Sequence, residues 1–151
     1  MTSGLVMKRD LFHVALIVPQ LEPAIDELSS LLNVEWESFF HGSLALHEPG
    51  VGYREIPMHI ANSTGRPFLE VIQAVPDSPW ALSESGSNLH HMGFFTEDLD
   101  ASSSEVSYSF CPFEICGVGH GGEMPSTFTY HSRGGFRIEL VARQRITSAL
   151  R

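Results

Sequence analysis

The chain has 151 residues, of which 42% are hydrophobic and 18% are charged, and its formal net charge at pH 7 is -9. This length and composition predict a soluble globular domain, and no apolar run approaches the roughly 18 to 20 residues that span a bilayer. The negative charge repels phosphate backbones and anionic membrane surfaces, so we expect neither nucleic acid nor a membrane as partner.

The first predicted elements lie in FHVALIVPQLEPA, residues 12–24, where His13 begins an apolar run. The run predicts a strand buried on both faces, and Pro23 fits the first turn of the helix that follows. The apolar residues of this helix recur at helical spacing: Leu21, Ala24, Ile25, Leu28, Leu31 and Leu32. Three strand-like runs near 35–40, 52–60 and 67–74 complete the order strand, helix, strand, strand, strand.

The stretch 76–87 is rich in Pro and Ser, which predicts a linker. LHHMGFFTEDLDA, residues 89–101, then repeats the strand and the start of the helix. The helical stripe is weaker here because its middle is Ser-rich: Leu99, Ser103, Val106 and Phe110. Strand-like runs near 113–117, 127–132 and 136–142 follow.

The two copies align without a gap over the strand and the helix start. The offset that takes His13 to His91 also takes Leu16 to Phe94 and Leu21 to Leu99. A fixed offset of this kind indicates an internal repeat. We therefore predict an α+β domain over 11–142, made of two βαβββ modules at 11–75 and 88–142.

Each copy also places a glutamate inside an apolar strand: Glu70 in FLEVI and Glu139 in RIELV. Glutamate is uncommon in strands and costly to bury alone, so two at matching points of a repeat indicate a shared partner. A lone histidine in an apolar strand is usually a hydrogen-bonded core residue, but the repetition of His13 at His91 favours a site. If each half-sheet curls, two imidazoles and two carboxylates can converge on a divalent ion such as Zn, Ni, Fe, Mn or Co.

The order of elements, the doubled module and the set His13, Glu70, His91 and Glu139 resemble the vicinal oxygen chelate superfamily. This superfamily includes glyoxalase I, methylmalonyl-CoA epimerase, extradiol dioxygenases and bleomycin-resistance proteins, and the resemblance covers residues 11–142. It implies a glyoxalase-like domain with curved mixed sheets around a central cleft, in which these four residues hold one divalent metal ion. By the same analogy we expect a homodimer.

The resemblance implies an isomerase, epimerase or lyase that removes a proton next to a carbonyl of a small-molecule substrate. Glyoxalase I-like members carry the ligands His, Glu, His and Glu, whereas epimerase-like members have glutamine at the position of Glu70. The sequence of residues 89–101 is nevertheless more similar to that of the epimerases. The likeness to these enzymes indicates Glu139 as the base, with Glu70 facing it.

Two other functions stay open. The protein could instead sequester a hydrophobic small molecule or antibiotic in the same cleft without turnover. Its ligand binding would then survive removal of metal by a chelator. The third possibility is an extradiol-type dioxygenase, which uses two histidines and one glutamate. A fourth ligand would occupy a position that catechol and oxygen need.

The sequence also predicts positions or roles for several residues other than the four ligands. The side chains expected beside the site are Ala15, Ile17, Phe68, Ile72, Gly93 and Phe95. Arg137 either holds a substrate carboxylate or is simply exposed. The His90 side chain should face away from that of His91, so we interpret His90 as a residue that supports the ligands from outside the site or is structural. The histidines without a repeat partner, His41, His47, His59 and His131, should lie at the surface or in loops.

The glycine-rich run 117–128 is either a lid that carries His120 to the site or an ordinary loop. Cys111 and Cys116 should be free thiols, which fits a reducing compartment. The N-terminus has no apolar core of a signal peptide, so we expect the protein in the cytoplasm.

Overall fold

The computed structural model describes residues 10–84, 88–109, 113–118, 122, 124 and 127–143. Its elements in chain order are β1 (Leu11–Val18), α1 (Leu21–Leu32), β2 (Trp36–Glu48), β3 (Gly52–Ser63), β4 (Phe68–Gln73), β5 (Leu89–Thr96), α2 (Leu99–Ser109), β6 (Phe113–Gly117), β7 (Phe128–Arg133) and β8 (Phe136–Ala142). The predicted α+β class with two successive βαβββ modules is confirmed. No helix among these elements is long and apolar enough to cross a membrane.

The strand β2 is longer than the sequence indicates, because it continues past residue 40 to Glu48. Gly42 and Ser43 are typical of a loop, which is why the predicted strand ended before them. Contacts with β3 lie at the start of this stretch, where Asn62 Nδ2 donates to Ser38 Oγ over 3.2 Å and His41 contacts His59. Further along, Leu46 and His47 pair with β6. Pairing with a neighbouring strand therefore overrides the local turn propensity.

The chain divides into two compact units. Of the described residues, the first unit contains those within 12–44 and 55–91, and the second contains those within 10–11, 45–54 and 92–143. Each unit has its own helix packed on its own part of the sheet.

In the first unit, β4 lies between β1, to which it is parallel, and β3, to which it is antiparallel. The helix α1 covers one face of these strands. The core between them consists of Leu21, Ala61 and Val71, flanked by Val18, Ala24, Ile25, Leu28, Trp36 and Leu69. Because strand side chains alternate between faces, His13, Ala15 and Glu70 project from the opposite face.

The ends of α1 are fixed by specific polar contacts. The Leu21 N–H at its start donates to Gln73 Oε1 over 3.0 Å, which satisfies a backbone group that the helix itself cannot pair. Asn33 ends the helix in the left-handed conformation, with φ of 53°. Trp36 Nε1–H donates to Ser29 Oγ over 2.8 Å, so the first residue of β2 is tied back to the helix.

The second unit repeats this arrangement. The strand β8 lies between β5, to which it is parallel, and β7, to which it is antiparallel. β6 pairs antiparallel with β7 and with residues Leu46 and His47 at the end of β2. The helix α2 packs on a core of Leu99, Val106 and Leu140, flanked by Phe94, Ile138 and Ala142. Phe110, expected in this stripe, lies outside the described residues.

The expectation that His131 is a surface or loop residue is wrong. It lies on β7 with 0% exposure, and its Nε2 is 3.1 Å from Ser103 Oγ and 2.9 Å from Thr129 Oγ1. Its Nδ1 is 3.3 Å from Ser107 Oγ. The serines that weaken the apolar stripe of α2 are thus the hydrogen-bond partners of a buried imidazole.

Cys116 is a buried free thiol, as expected, and burial raises its pKa. The thiol therefore stays protonated and unreactive at neutral pH. Cys111 lies outside the described residues.

Replacing Leu140 with alanine tests the core of the second unit. Leu140 is fully buried against α2, so Leu140→Ala should lower the free energy of unfolding by about 2 to 5 kcal/mol. The control Leu31→Ala removes the same atoms from a side chain that is 71% exposed and should change it by less than about 0.5 kcal/mol. Urea unfolding followed by circular dichroism measures both, and equal losses would contradict the described packing.

Candidate metal centre

The first unit brings three of the sequence-predicted ligands together. His13 lies on β1, Glu70 on β4 and His91 on β5. The parallel register of β1 and β4 places Glu70 beside Ala15, two residues after His13 on the same face. This face is the one that α1 does not cover.

The ligand atoms of these residues converge. His13 Nε2 lies 2.8 Å from His91 Nε2, and Glu70 Oε1 lies 3.8 Å from the former and 3.6 Å from the latter. The side-chain exposure is 2% for His13, 0% for His91 and 16% for Glu70. We call these three residues the His-His-Glu cluster. Glu70 is less buried than the sequence indicates, so it is the member of the cluster that solvent reaches.

The cluster has the donors that a divalent ion prefers, and its ligand atoms lie close to the spacing that one ion requires. Zinc binds imidazole nitrogen at about 2.0 to 2.1 Å and carboxylate oxygen at about 2.0 to 2.2 Å, so two ligands of one ion lie roughly 3 to 3.5 Å apart. The three interatomic distances bracket this range. Two nitrogens and one carboxylate oxygen suit borderline ions such as zinc, nickel, cobalt, iron or manganese.

Aromatic and aliphatic side chains surround the cluster on its face of the sheet. The Phe68 ring lies 5.2 Å from the His13 ring and packs edge-on against Phe12 at 4.5 Å. Ala15, Ile17 and Ile72 are buried on the same face, as expected. A carboxylate and two imidazoles therefore lie within a largely apolar surface.

His90 contacts His91, contrary to the expectation that their side chains face apart. His90 Nδ1 lies 2.8 Å from His91 Nδ1, and His90 Nε2 lies 2.6 Å from the carbonyl oxygen of Pro79. Alternation along a strand predicts opposite faces for neighbouring residues, but two rings that each bend toward the strand axis can still meet. The second nitrogen of His91 is thus held from outside the cluster.

Glu139 occupies in the second unit the place that Glu70 has in the first. It is buried on β8 with 8% exposure and pairs in register with Gly93 on β5 and Tyr130 on β7. Gly93 follows His91 by two residues, as Ala15 follows His13. The repeat in the sequence therefore corresponds to a repeated register in the sheet.

Asn62 is a residue near the cluster that the sequence interpretation missed. It pairs directly with Glu70 across β3 and β4 and projects from the same face. A polar residue inside the alternating apolar strand IPMHIANS was the signal that could have identified it.

Arg137 is bound to Glu114 and is not available to clamp a substrate carboxylate. Its Nε and Nη2 each donate to one oxygen of Glu114 over 2.8 Å, and Ser132 also donates to that carboxylate. The guanidinium lies 5.9 Å from the centre of the Tyr130 ring. Neither expected role fits this geometry, because the side chain is only 24% exposed and its donors are engaged by Glu114. His120 of the proposed lid lies outside the described residues.

Comparison with known proteins identifies the family. Residues 12–109 match the Glyoxalase/Bleomycin resistance protein/Dioxygenase superfamily. The chain belongs to this superfamily. The predicted relationship to vicinal oxygen chelate proteins is confirmed. A comparison with curated protein sequences gives no match.

Several solved structures share the fold of this chain. A hypothetical protein from Bacillus halodurans C-125 superposes with a TM-score of 0.64 at 14% identity, covering 90% of this chain and 95% of that one. Methylmalonyl-CoA epimerase from Mycobacterium tuberculosis gives 0.57 at 16% identity and covers 98% and 96%. A variant of the Streptomyces coelicolor epimerase in complex with 2-nitronate-propionyl-CoA gives 0.58 at 16%, covering 89% and 96%.

The bond between Arg137 and Glu114 should contribute measurably to stability. Arg137→Met removes a two-point, charge-assisted contact, so the free energy of unfolding should fall by about 1 to 3 kcal/mol. The control Arg54→Met breaks the longer contact of 3.3 Å between Arg54 Nη1 and Glu48, whose side chains have similar exposure, and should cost less than about 1 kcal/mol. Urea titration of both variants provides the comparison, and an equal loss would show that the two-point geometry adds nothing.

Proposed function

We propose that this protein is a divalent-metal-dependent isomerase, epimerase or lyase that moves a proton next to a carbonyl of a small-molecule substrate. The observation that supports it best is the convergence of His13, His91 and Glu70 within 2.8 to 3.8 Å of one another in an apolar setting. Superfamily membership is consistent with such chemistry. The assembly of a homodimer stays a prediction.

His13, Glu70 and His91 would hold the ion, and we assign Glu139 as the fourth ligand. Its assignment rests on the repeat: Glu139 and Glu70 occupy the same register position in their own strand pairs. A bound divalent ion would supply a Lewis acid that polarises the substrate carbonyl and lowers the cost of removing the neighbouring proton.

The two glutamates would move the proton. A carboxylate is a competent general base when it lies within hydrogen-bond reach of the proton that it removes. We assign Glu139, in its carboxylate form, as the base that takes the proton. Glu70, as the neutral carboxylic acid, would deliver its own proton to the opposite side of the substrate, and exchange with water would then restore both groups. Glu70 is suited to contact with substrate because it is the most exposed member of the cluster.

An acyl thioester is the substrate class that fits this setting best. The cluster lies beside Phe12, Phe68 and Ile72, which offer apolar contact area rather than hydrogen-bonding groups for a sugar. The epimerase of similar fold from Streptomyces coelicolor is described with an acyl-CoA analogue bound. Methylmalonyl-CoA is therefore the first probe, followed by adducts of 2-oxoaldehydes.

The metal content of the untagged protein tests the proposed centre. We expect about one divalent ion per chain in the native protein by elemental mass spectrometry, and loss of the ion in His13→Ala and in His91→Ala. His41→Ala is the matched control, because His41 Nδ1 lies 2.8 Å from His59 Nδ1 in a second histidine pair that is exposed. This variant should keep the ion. A folded native protein without metal would contradict the mechanism and favour ligand sequestration.

Isotope exchange tests the assignment of the two glutamates. In D₂O, the native enzyme should incorporate deuterium next to the thioester carbonyl of methylmalonyl-CoA, as measured by mass spectrometry. Glu70→Gln and Glu139→Gln should each slow epimerisation by about 10² to 10⁴-fold, the usual contribution of a positioned acid or base. Glu139→Gln should also stop exchange from the starting epimer, whereas Glu70→Gln should allow it with retention.

The metal content of the same variants is the control. Glutamine keeps an oxygen that can bind metal, so both variants should hold an ion. Equal loss of metal in both would show that the glutamates act only as ligands.

A further inference from the structure

We propose that His90 is a positioning residue that fixes the protonation tautomer of His91, so that His91 Nε2 presents its lone pair to the His-His-Glu cluster. Two hydrogen bonds in series determine the tautomer, and they connect the linker to the cluster. They run from the carbonyl oxygen of Pro79 through the His90 ring to the His91 ring.

The contact with Pro79 determines the direction of donation in this series of hydrogen bonds. His90 Nε2 lies 2.6 Å from the Pro79 carbonyl oxygen, and a carbonyl oxygen can only accept. His90 Nε2 must therefore carry the hydrogen and donate it. A neutral His90 then has an unprotonated Nδ1.

The next contact follows from this. His90 Nδ1 lies 2.8 Å from His91 Nδ1, so His91 Nδ1 must carry the hydrogen and donate it. The proton of a neutral His91 is thereby committed to Nδ1. Its Nε2 is left with a lone pair, 2.8 Å from His13 Nε2 and 3.6 Å from Glu70 Oε1.

The linker holds the terminal carbonyl in place. Trp80 is 1% exposed, and its ring stacks on that of His90 with centroids 6.3 Å apart and planes inclined by 27°. Ser78 Oγ donates to the Val75 carbonyl over 2.7 Å and accepts from the Trp80 N–H over 3.0 Å, while the Val75 N–H donates to the Trp80 carbonyl over 3.1 Å. The Ala81 N–H also donates to the Ser78 carbonyl over 3.1 Å, so Pro79 lies in a turn that is closed by four hydrogen bonds.

The tautomer matters because a metal ion binds only the unprotonated nitrogen. An unconstrained neutral imidazole carries its hydrogen mainly on Nε2, which is the nitrogen that faces the cluster. Outer hydrogen bonds that hold the other tautomer also orient the ring, and their loss typically lowers metal affinity by about 10 to 100-fold. His90 would supply this bond from the residue next to the ligand.

Nitrogen-15 NMR of the metal-free native protein tests the order of protons directly. Long-range ¹H–¹⁵N spectra distinguish the two neutral tautomers at a pH where the rings are neutral. We expect the hydrogen of His90 on Nε2 and that of His91 on Nδ1. A native His91 with its hydrogen on Nε2 would overturn the proposal, and this result does not depend on any variant.

Two variants test whether His90 is the cause. His90→Phe keeps a ring to stack on Trp80 but removes both nitrogens, so His91 should shift toward the Nε2–H tautomer and Zn²⁺ affinity should fall about 10 to 100-fold. His90→Asn retains a side-chain oxygen that can accept from His91 Nδ1–H and should restore most of the native tautomer and affinity. An unchanged tautomer in His90→Phe, or equal loss of affinity in both folded variants, would contradict the positioning role.

The two readouts separate this inference from the proposed function. The tautomer is measured in the metal-free protein, whereas the measurement of Zn²⁺ affinity rests on the proposed metal centre. If the native protein shows the expected tautomers but binds no divalent ion, the proposed function fails and the role of His90 in fixing the His91 tautomer stands. If the metal-free protein carries the His91 hydrogen on Nε2 and the protein still binds the ion, the role of His90 fails and the proposed metal centre stands.

Discussion

The parallel pairing of the first and last strands of each module is the constraint on which the rest of the structure depends. Parallel neighbours cannot be joined by a tight turn and need a crossover connection, which in each module consists of a helix and two strands. In the first unit this pairing places Glu70 beside Ala15, and α1 then covers the other face. In the second, β5 and β8 place Glu139 beside Gly93 in the same way. One register thus determines both where the carboxylate lies and which face stays open.

Much of this could be predicted because it is local or periodic. The helical spacing of apolar residues located α1, and the runs around His13 and His91 located β1 and β5. The repeat allowed the matching of Glu70 to Glu139, since a fixed offset reports equivalent positions without knowledge of the fold. Gly42 and Ser43 led to a predicted end of β2 that was too early. Strand pairing depends on a neighbouring strand that is distant in sequence, so the local composition does not report it.

Polar partnerships were the part that could not be predicted. His131 was expected at the surface or in a loop because it has no counterpart in the repeat, yet it is buried, and two of its partners come from a helix about 25 residues earlier. Arg137 was expected to be exposed or to bind substrate, and its carboxylate partner lies on another strand. In each case the hydrogen-bonding capacity was visible in the sequence, whereas the partner depends on which strands and helices become neighbours. Buried polar groups require partners but do not specify them.

The contact between His90 and His91 has a consequence for the symmetry of the centre. The offset that takes His13 to His91 takes Phe12 to His90, so the two copies have diverged at the residue before the ligand. In one copy that residue packs against Phe68, and in the other it accepts a hydrogen bond from the ligand ring. An outer hydrogen bond of this kind orients a ligand ring and raises its basicity. The repeat has thus kept the position of the ligand while changing the residue before it, so the outer bond of His91 depends on a side chain that the first copy does not have.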